Sequence, residues 1–545
     1  MPLRSTGEPP ARSARLNRRR MLELAGGATL LAALPPHTMA ARQDASATPE
    51  ATPAASPAAA TGPMTFPIPG TLAADASPEF RTVAEALVDA MQRHAVPGVA
   101  LGILANGREE HVTFGVASMS SLEPVMPETL FQIGSLSKTF TSTAIWHLHD
   151  RGAITIDETV QHYLTNLKTS DPSVAETVRV ANLLDHTPGW YGDEGFDTGD
   201  DDDAIARYVS ERLPELPQQF PMGEFFSYNN AAFSVLGRLV EVATGTAYDA
   251  AMESLIFGPL GLADTTLDRD EVLRRPYADG HYAGPINGRT SLSVQTPLWV
   301  PRSIDPAGGI WSTTRDIIRY ARFHLATGTD LPATGASVVS PESLLRMREP
   351  AVKAPGLEIS MGRDWFVQDI DGVRVISHNG DTVGQHTEFF AIPEHGFAFV
   401  LFTNASGGSG VAMVVAATAL ATYPGLSGLA GKVGLASVFL ESPDTPTVAL
   451  SREELEEYAG RYEDGASIST VTVDGEGLML AAEPIEIPGA WSPAILPVQT
   501  GPASIAFTAK DAGLARGVLR VPFVRDDAGK VGWIASGLRL IPKVD

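Results

Sequence analysis

Three short segments carry the residue types that could do chemistry. The first is Phe131-Gln132-Ile133-Gly134-Ser135-Leu136-Ser137-Lys138-Thr139-Phe140. A hydroxyl and an amine three residues apart at a helix start share one face, with Cβ atoms about 5–6 Å apart. Serine is a poor nucleophile until a base takes its proton. A desolvated lysine can be that base, because burial favours the neutral amine. The free N–H groups of a helix N-terminus would also lie beside the Ser135 hydroxyl. The second segment, Phe226-Ser227-Tyr228-Asn229-Asn230, precedes an apolar helical pattern. A phenol can relay a proton and a carboxamide can hydrogen-bond a substrate amide. The third, Ile376-Ser377-His378-Asn379-Gly380, reads as strand, and its glycine would let backbone approach a substrate closely. The first two have plainer readings: Ser135 or Asn230 as a helix cap, Lys138 as a solvated side chain, Tyr228 as a core aromatic.

These motifs, in this order and spacing, resemble the serine β-lactamase and penicillin-binding-protein superfamily, nearest to class C-type β-lactamases, D-Ala-D-Ala carboxypeptidases and related esterases. The segments Leu183-Leu184-Asp185-His186-Thr187-Pro188-Gly189 and Pro306–Asp316 look like framework sequences of that branch, and the resemblance covers residues 77–423. It implies an α+β fold: an antiparallel sheet flanked by helices, with a helical region inserted. It implies Ser135 as the acylated nucleophile, Lys138 as its base, Tyr228 as proton shuttle and Asn230 as holder of the substrate amide. His378 and Gly380 would meet the substrate, and the backbone N–H groups of Ser135 and Asp381 would form the oxyanion hole. The reaction would be acyl transfer through a Ser135 ester, then hydrolysis. No cofactor and no metal are implied.

One departure stands out. Many members carry Lys-Thr-Gly where this chain has His378-Asn379-Gly380, and no Lys or Arg occurs from Val375 to Gly431. The acidic stretch of Asp193, Glu194, Asp197 and Asp200–Asp203 adds negative charge between motifs. Both features favour an ester or amide substrate without an essential carboxylate over a D-Ala-D-Ala peptide or a β-lactam. Should a charged His378 hold a carboxylate, KM would worsen as pH rises through about 6.5. His147-Leu148-His149 does not make a zinc site, since i and i+2 diverge on a helix. No Gly-x-Ser-x-Gly elbow of an α/β-hydrolase is present. A catalytically silent module that binds cell-wall peptides or another protein is the rival of another class. Its motif residues would have decayed, and here Ser135, Lys138, Tyr228 and Asn230 are intact.

The elements that must position these groups follow from apolar spacing. Helices are expected over 79–94, 135–151, 229–243 and 411–421. Strands are expected over 98–104 and 112–117, joined by Asn106-Gly107, and over 373–378, 387–392 and 397–404. A sheet built from both ends of this region, with helices inserted, satisfies that order. A separate all-β module over 448–545, a small barrel or sandwich resembling lipocalin-like domains, follows the hydrolase domain expected over 75–435. It opens with the capping box Ser451–Glu454. Loops over 191–220 and 277–303 would shape the pocket.

Residues 1–20 hold six arginines against one acid, and an uncharged apolar run over 24–34 ends at Pro35-Pro36. This fits a signal peptide over 1–40, too short to span a membrane. Asn17-Arg18-Arg19-Arg20-Met21-Leu22 resembles a twin-arginine export signal. The protein is thus expected to be exported: periplasmic, wall-associated or secreted. Residues 41–68 read as an Ala/Pro/Ser/Thr-rich linker. The net charge of −24 argues against nucleic acid and anionic lipid as partners. The absence of cysteine removes thiol chemistry and disulfides. The partner expected is a small-molecule or peptide substrate; oligomeric state is not legible.

Overall fold

The computed structural model describes residues 66–193, 195–286, 289–326, 338–363, 365–441, 448–465, 467–484, 494–501, 504–509 and 518–544. Residues 1–40, expected as an export signal, and nearly all of the expected linker over 41–68 lie outside these. At the linker's end, Phe66 and Ile68 already pack on the core.

An eight-stranded antiparallel sheet organises the larger part of the molecule. Its strands are β1 (Gly98–Ala105), β2 (Arg108–Gly115), β3 (Val352–Lys353), β4 (Ser360–Met361), β5 (Phe366–Ile370), β6 (Val373–Thr382), β7 (Gln385–Ile392) and β8 (Phe397–Thr403). Their order is β2-β1-β8-β7-β6-β5-β4-β3. The first hairpin turns on Asn106 and Gly107, both at positive φ, as a two-residue turn requires. β1 then pairs with β8 from Val99↔Thr403 to Leu104↔Ala398, so the two ends of the region meet at the sheet centre. The strands from 352 onward build the rest of one α+β sheet.

Both faces of the sheet are covered. Along β8, Ala398, Val400 and Phe402 enter one core, while Phe397, Phe399 and Leu401 enter the other. That two-residue period is why this strand is apolar throughout. On the second face lie α1 (Pro78–Arg93) and α5 (Gly408–Thr422). α1 starts where Ser77 Oγ accepts the Phe80 N–H and Pro78 fixes the first turn; it buries Phe80, Val83, Leu87 and Met91. On the first face lie α2 (Ser137–Asp150), α3 (Asn230–Thr244) and α4 (Thr314–Leu325). α2 is buried almost all round, from Ser137 to Leu148. Among the described residues no helix is long and apolar enough to cross a membrane.

The C-terminal part opens with a short helix, Arg452–Glu456, behind the Ser451–Glu454 capping box, and is otherwise β: a seven-stranded antiparallel sheet and a three-stranded one of Phe523–Arg525, Val531–Ser536 and Arg539–Pro542. A bridge between Tyr462 and Lys543 links the two sheets. Leu440–Glu441 already pairs with Val518 and Leu519 of the larger sheet. This small β part is not walled off. Tyr462, Val471, Leu478 and Ile534 share one buried cluster with Phe226, Tyr228, Met361 and Phe366 of the larger part.

Candidate active site

Ser135 sits in a single 3-10 turn, Gly134–Leu136, between the short strand Phe131–Gln132 and α2. Gly134 has φ +55, and a Cβ there would lie 2.7 Å from the Asp381 nitrogen. Only glycine fits both demands. Ser135 is partly exposed, whereas the residues around it are buried. Lys138, in the first turn of α2, is 0% exposed. Its Nζ donates to Ser135 Oγ at 3.2 Å and to the Ala307 carbonyl at 2.7 Å. That carbonyl belongs to Pro306-Ala307-Gly308, docked on α2: the Thr141 hydroxyl donates to Pro306 O at 2.6 Å and the Ile310 N–H to Ser137 Oγ at 3.1 Å.

Tyr228 precedes α3 and is held by its neighbours. Asn229, not Asn230, caps that helix: its Oδ1 accepts the Ala232 N–H at 2.8 Å and its Nδ2 donates to Trp190 O at 2.7 Å. His186 Nδ1 accepts the Asn229 N–H at 2.9 Å, which places the imidazole proton on Nε2. The His186 ring stacks on Tyr228 at 4.5 Å. Burial, with Lys138, His378 and Arg539 nearby, keeps His186 neutral, well below the usual imidazole range. Lys138 Nζ lies 4.9 Å from the Tyr228 ring centre.

The third motif runs along β6. β5 pairs with β6 only as far as Ser377, so His378 to Thr382 leave that edge open. Gly380 is pressed against the Ser135 turn: a Cβ would come 1.8 Å from Ile133 O and 3.1 Å from the Ser135 nitrogen. The backbone at 380–381 and at 134–135 therefore converges. Behind it, the Asp381 carboxylate meets His386 Nδ1 at 2.7 Å, and Asn379 Nδ2 donates to Glu388 at 2.8 Å. Burial works against charge on His386, but Asp381 and then Glu388 outweigh it and raise its pKa to about 10.

The charge of His378, left open by the motif, follows from its surroundings. The residue is 1% exposed, and its Nδ1–H donates to Asn379 O at 2.7 Å. Burial first, then Lys138, lowers its pKa to about 3. It is a neutral imidazole across ordinary pH and no carboxylate anchor of the charged kind.

The acidic stretch is also mostly spent. Asp200, Asp201 and Asp202 each bind an arginine (Arg269, Arg207 and Arg302) at 2.6 Å. Asp193 alone of the paired acids reaches the motifs, accepting from Asn230 Nδ2 at 2.8 Å. It also takes a bidentate pair from Arg539, at 2.7 Å from Nε and 2.9 Å from Nη2. The Arg539 guanidinium carbon lies 4.8 Å from the Tyr228 ring centre. Motif reading missed this cation, because Arg539 is far along the chain in the β part and its motif, Ser536-Gly537-Leu538-Arg539, resembles an ordinary hairpin turn.

A hydroxyl, a buried amine, a phenol and two closely approaching stretches of backbone thus lie together, groups that acyl transfer could use. The β-lactamase family model matches residues 83–422, more than half of the chain. The chain belongs to that family. Penicillin-binding protein 4 of Amycolatopsis lactamdurans is 33% identical over 318 residues, 57% of this chain and 81% of that protein. A β-lactamase of Providencia stuartii is 30% identical over 235 residues, 43% of this chain and 57% of that protein. In fold, the crystal structure of SurE superposes with TM-score 0.66 at 22% identity, covering 86% of this chain and 99% of SurE. A class C β-lactamase gives 0.55 at 21% identity, covering 65% and 99%. The SurE match extends beyond the family domain into the C-terminal β part.

Proposed function

We propose that the protein is an exported serine hydrolase that turns over a small ester, amide or peptide through an acyl-Ser135 intermediate. The observation that carries this reading is the fully buried Lys138 amine, 3.2 Å from Ser135 Oγ and 4.9 Å from the Tyr228 ring. Ser135 Oγ attacks the substrate carbonyl while its proton passes to Lys138 or Tyr228. Tyr228 returns a proton to the leaving alcohol or amine as that bond breaks. Water then attacks the acyl ester, and Ser135 recovers its proton. The N–H groups of Ser135 and Asp381 receive the oxyanion. Asn230 Nδ2 is committed to Asp193, which leaves Oδ1 to meet a substrate N–H. Gly380 and the neutral His378 line the open edge of β6, where an extended substrate would lie. Residues 1–40 would direct export by the twin-arginine route and then be removed.

The test is covalent. A fluorophosphonate probe should add its mass to the Ser135 peptide, and Ser135→Ala should abolish the adduct. Across short-chain esters, D-amino-acid amides, D-Ala-D-Ala peptides and nitrocefin, Ser135→Ala should lose at least about 10³-fold in kcat on whichever substrates turn over. The relative named a penicillin-binding protein is the reason to include nitrocefin, a β-lactam. No adduct and no hydrolysis would leave the silent binding module as the better reading.

A further inference from the structure

The terminal hairpin of the β part reaches into the site. The Tyr228 N–H donates to Leu538 O at 2.8 Å, and the Leu540 N–H donates to Ser227 Oγ at 3.1 Å. Trp533 braces the hairpin from outside, its Nε1–H on Gln219 O at 3.2 Å and its ring against Phe225. At the tip stands Arg539, whose side chain is 11% exposed and whose charge Asp193 balances.

Among the described residues, titratable groups face Tyr228 from several elements. Lys138 comes from α2, His186 from the segment after 180–184, and His378 from β6. Arg539 comes from the hairpin, while Asp193 stands behind it and Tyr191 lies nearby. Of these, His186 and His378 are neutral, so Arg539 is a cation that the third motif itself does not supply. Asp193 grips the Nε and Nη2 edge, while the guanidinium carbon sits 4.8 Å from the ring centre. Burial disfavours the Arg539 charge, yet Asp193 and then Tyr228 favour it. An attraction that favours the guanidinium beside a phenolate equally favours the phenolate beside the guanidinium.

We propose that Arg539 is a positioning residue for Tyr228: pinned by Asp193, it fixes the phenol beside Lys138 and favours its phenolate, so that the β part completes the proton-transfer machinery. This rests on reading Tyr228 as the proton carrier. As a base Tyr228 works deprotonated, so the acidic limb of kcat/KM follows its pKa. Removing an opposite charge at this range moves such a limb upward by about one to three pH units.

The experiment compares full-length wild type with Arg539→Lys, Arg539→Gln and the double variant Arg539→Gln/Asp193→Asn, which leaves no orphaned carboxylate. The substrate is p-nitrophenyl butyrate, which has no carboxylate for Arg539 to hold. Activity below the limb should fall about tenfold or more in both Gln-bearing variants, recover at high pH, and stay near wild type in Arg539→Lys. Independently of turnover, the near-ultraviolet tyrosinate titration of each protein, minus that of its Tyr228→Phe counterpart, should shift upward with the loss of Arg539. If both the limb and the tyrosinate titration stay in place in the double variant, the proposal is wrong. A loss equal at every pH, or one confined to KM of acidic substrates, is equally fatal to it. A wild type that forms no Ser135 adduct and hydrolyses nothing overturns the functional reading instead, and the titration still decides the role of Arg539.

Discussion

His378 occupies the place where many relatives carry an ammonium, and burial keeps its imidazole neutral, with a pKa of about 3. An unfolded histidine binds its proton near 6.5. Its folded pKa is depressed, so the stability it contributes is complete above about pH 6.5 and drains away as pH falls toward 3. Thermal midpoints of His378→Asn should therefore fall less between pH 6.5 and 4.5 than those of the wild type. A second consequence concerns substrates. KM for a carboxylate-bearing substrate should stay flat from pH 5.5 to 8 where His378 alone is concerned; a rise centred near 6.5 would mean that it titrates after all. The same neutrality leaves Arg539 as a cation that approaches the Tyr228 ring from outside the three motifs.

At the scale of elements, the site depends on how closely β6 lies against the turn before α2. Gly380 has no room for a methyl group, with Ile133 O 1.8 Å from where a Cβ would stand. Gly380→Ala must push β6 away from Ser135, separating the two N–H groups that would receive the oxyanion. Losing one such donor costs about 10²–10³ in kcat. We expect that loss in steady-state kinetics, with far-ultraviolet circular dichroism unchanged because β6 remains paired with β7. Undiminished kcat would mean that this convergence does not carry the chemistry. The helices set the other half of the geometry. α2 brings Lys138 back to Ser135, and α3, capped by Asn229, presents Tyr228 just before its first turn.

At the scale of the whole molecule, the β part and the hydrolase part are one packed object near the site. Phe226, Met361 and Phe366 lie in a cluster whose other members include Leu478, Val521 and Ile534. Ending the chain at residue 441 would expose that apolar surface, at about 25 cal/mol for each Å² uncovered. It would also remove Arg539, leaving the Asp193 carboxylate to face water instead of its ion-pair partner. The truncated protein should therefore melt at lower temperature, bind a hydrophobic dye and show no Ser135 labelling. A stable, labelled fragment would show that the β part is dispensable.

Much of this was legible in the order of residues. Ser135 with Lys138, the helix beginning after Asn229 and the Asn106-Gly107 hairpin are set by local spacing, capping and turn chemistry, each confined to a few neighbouring residues. The apolar run over 397–404 likewise announces a strand; that both its faces are covered comes from the packing. What local pattern could not carry was the company of a side chain brought from far along the chain. The charge state of His378 follows from burial and the nearness of Lys138, and no property of His-Asn-Gly encodes either. The Ala307 carbonyl on Lys138 and the pairing of Asp193 with Arg539 across 346 positions exist only once the sheet, helices and terminal hairpin have packed. Sequence thus determined which groups could react; tertiary structure decided which of them are charged and what they face, because electrostatic energy depends on distance in space and on exclusion of water.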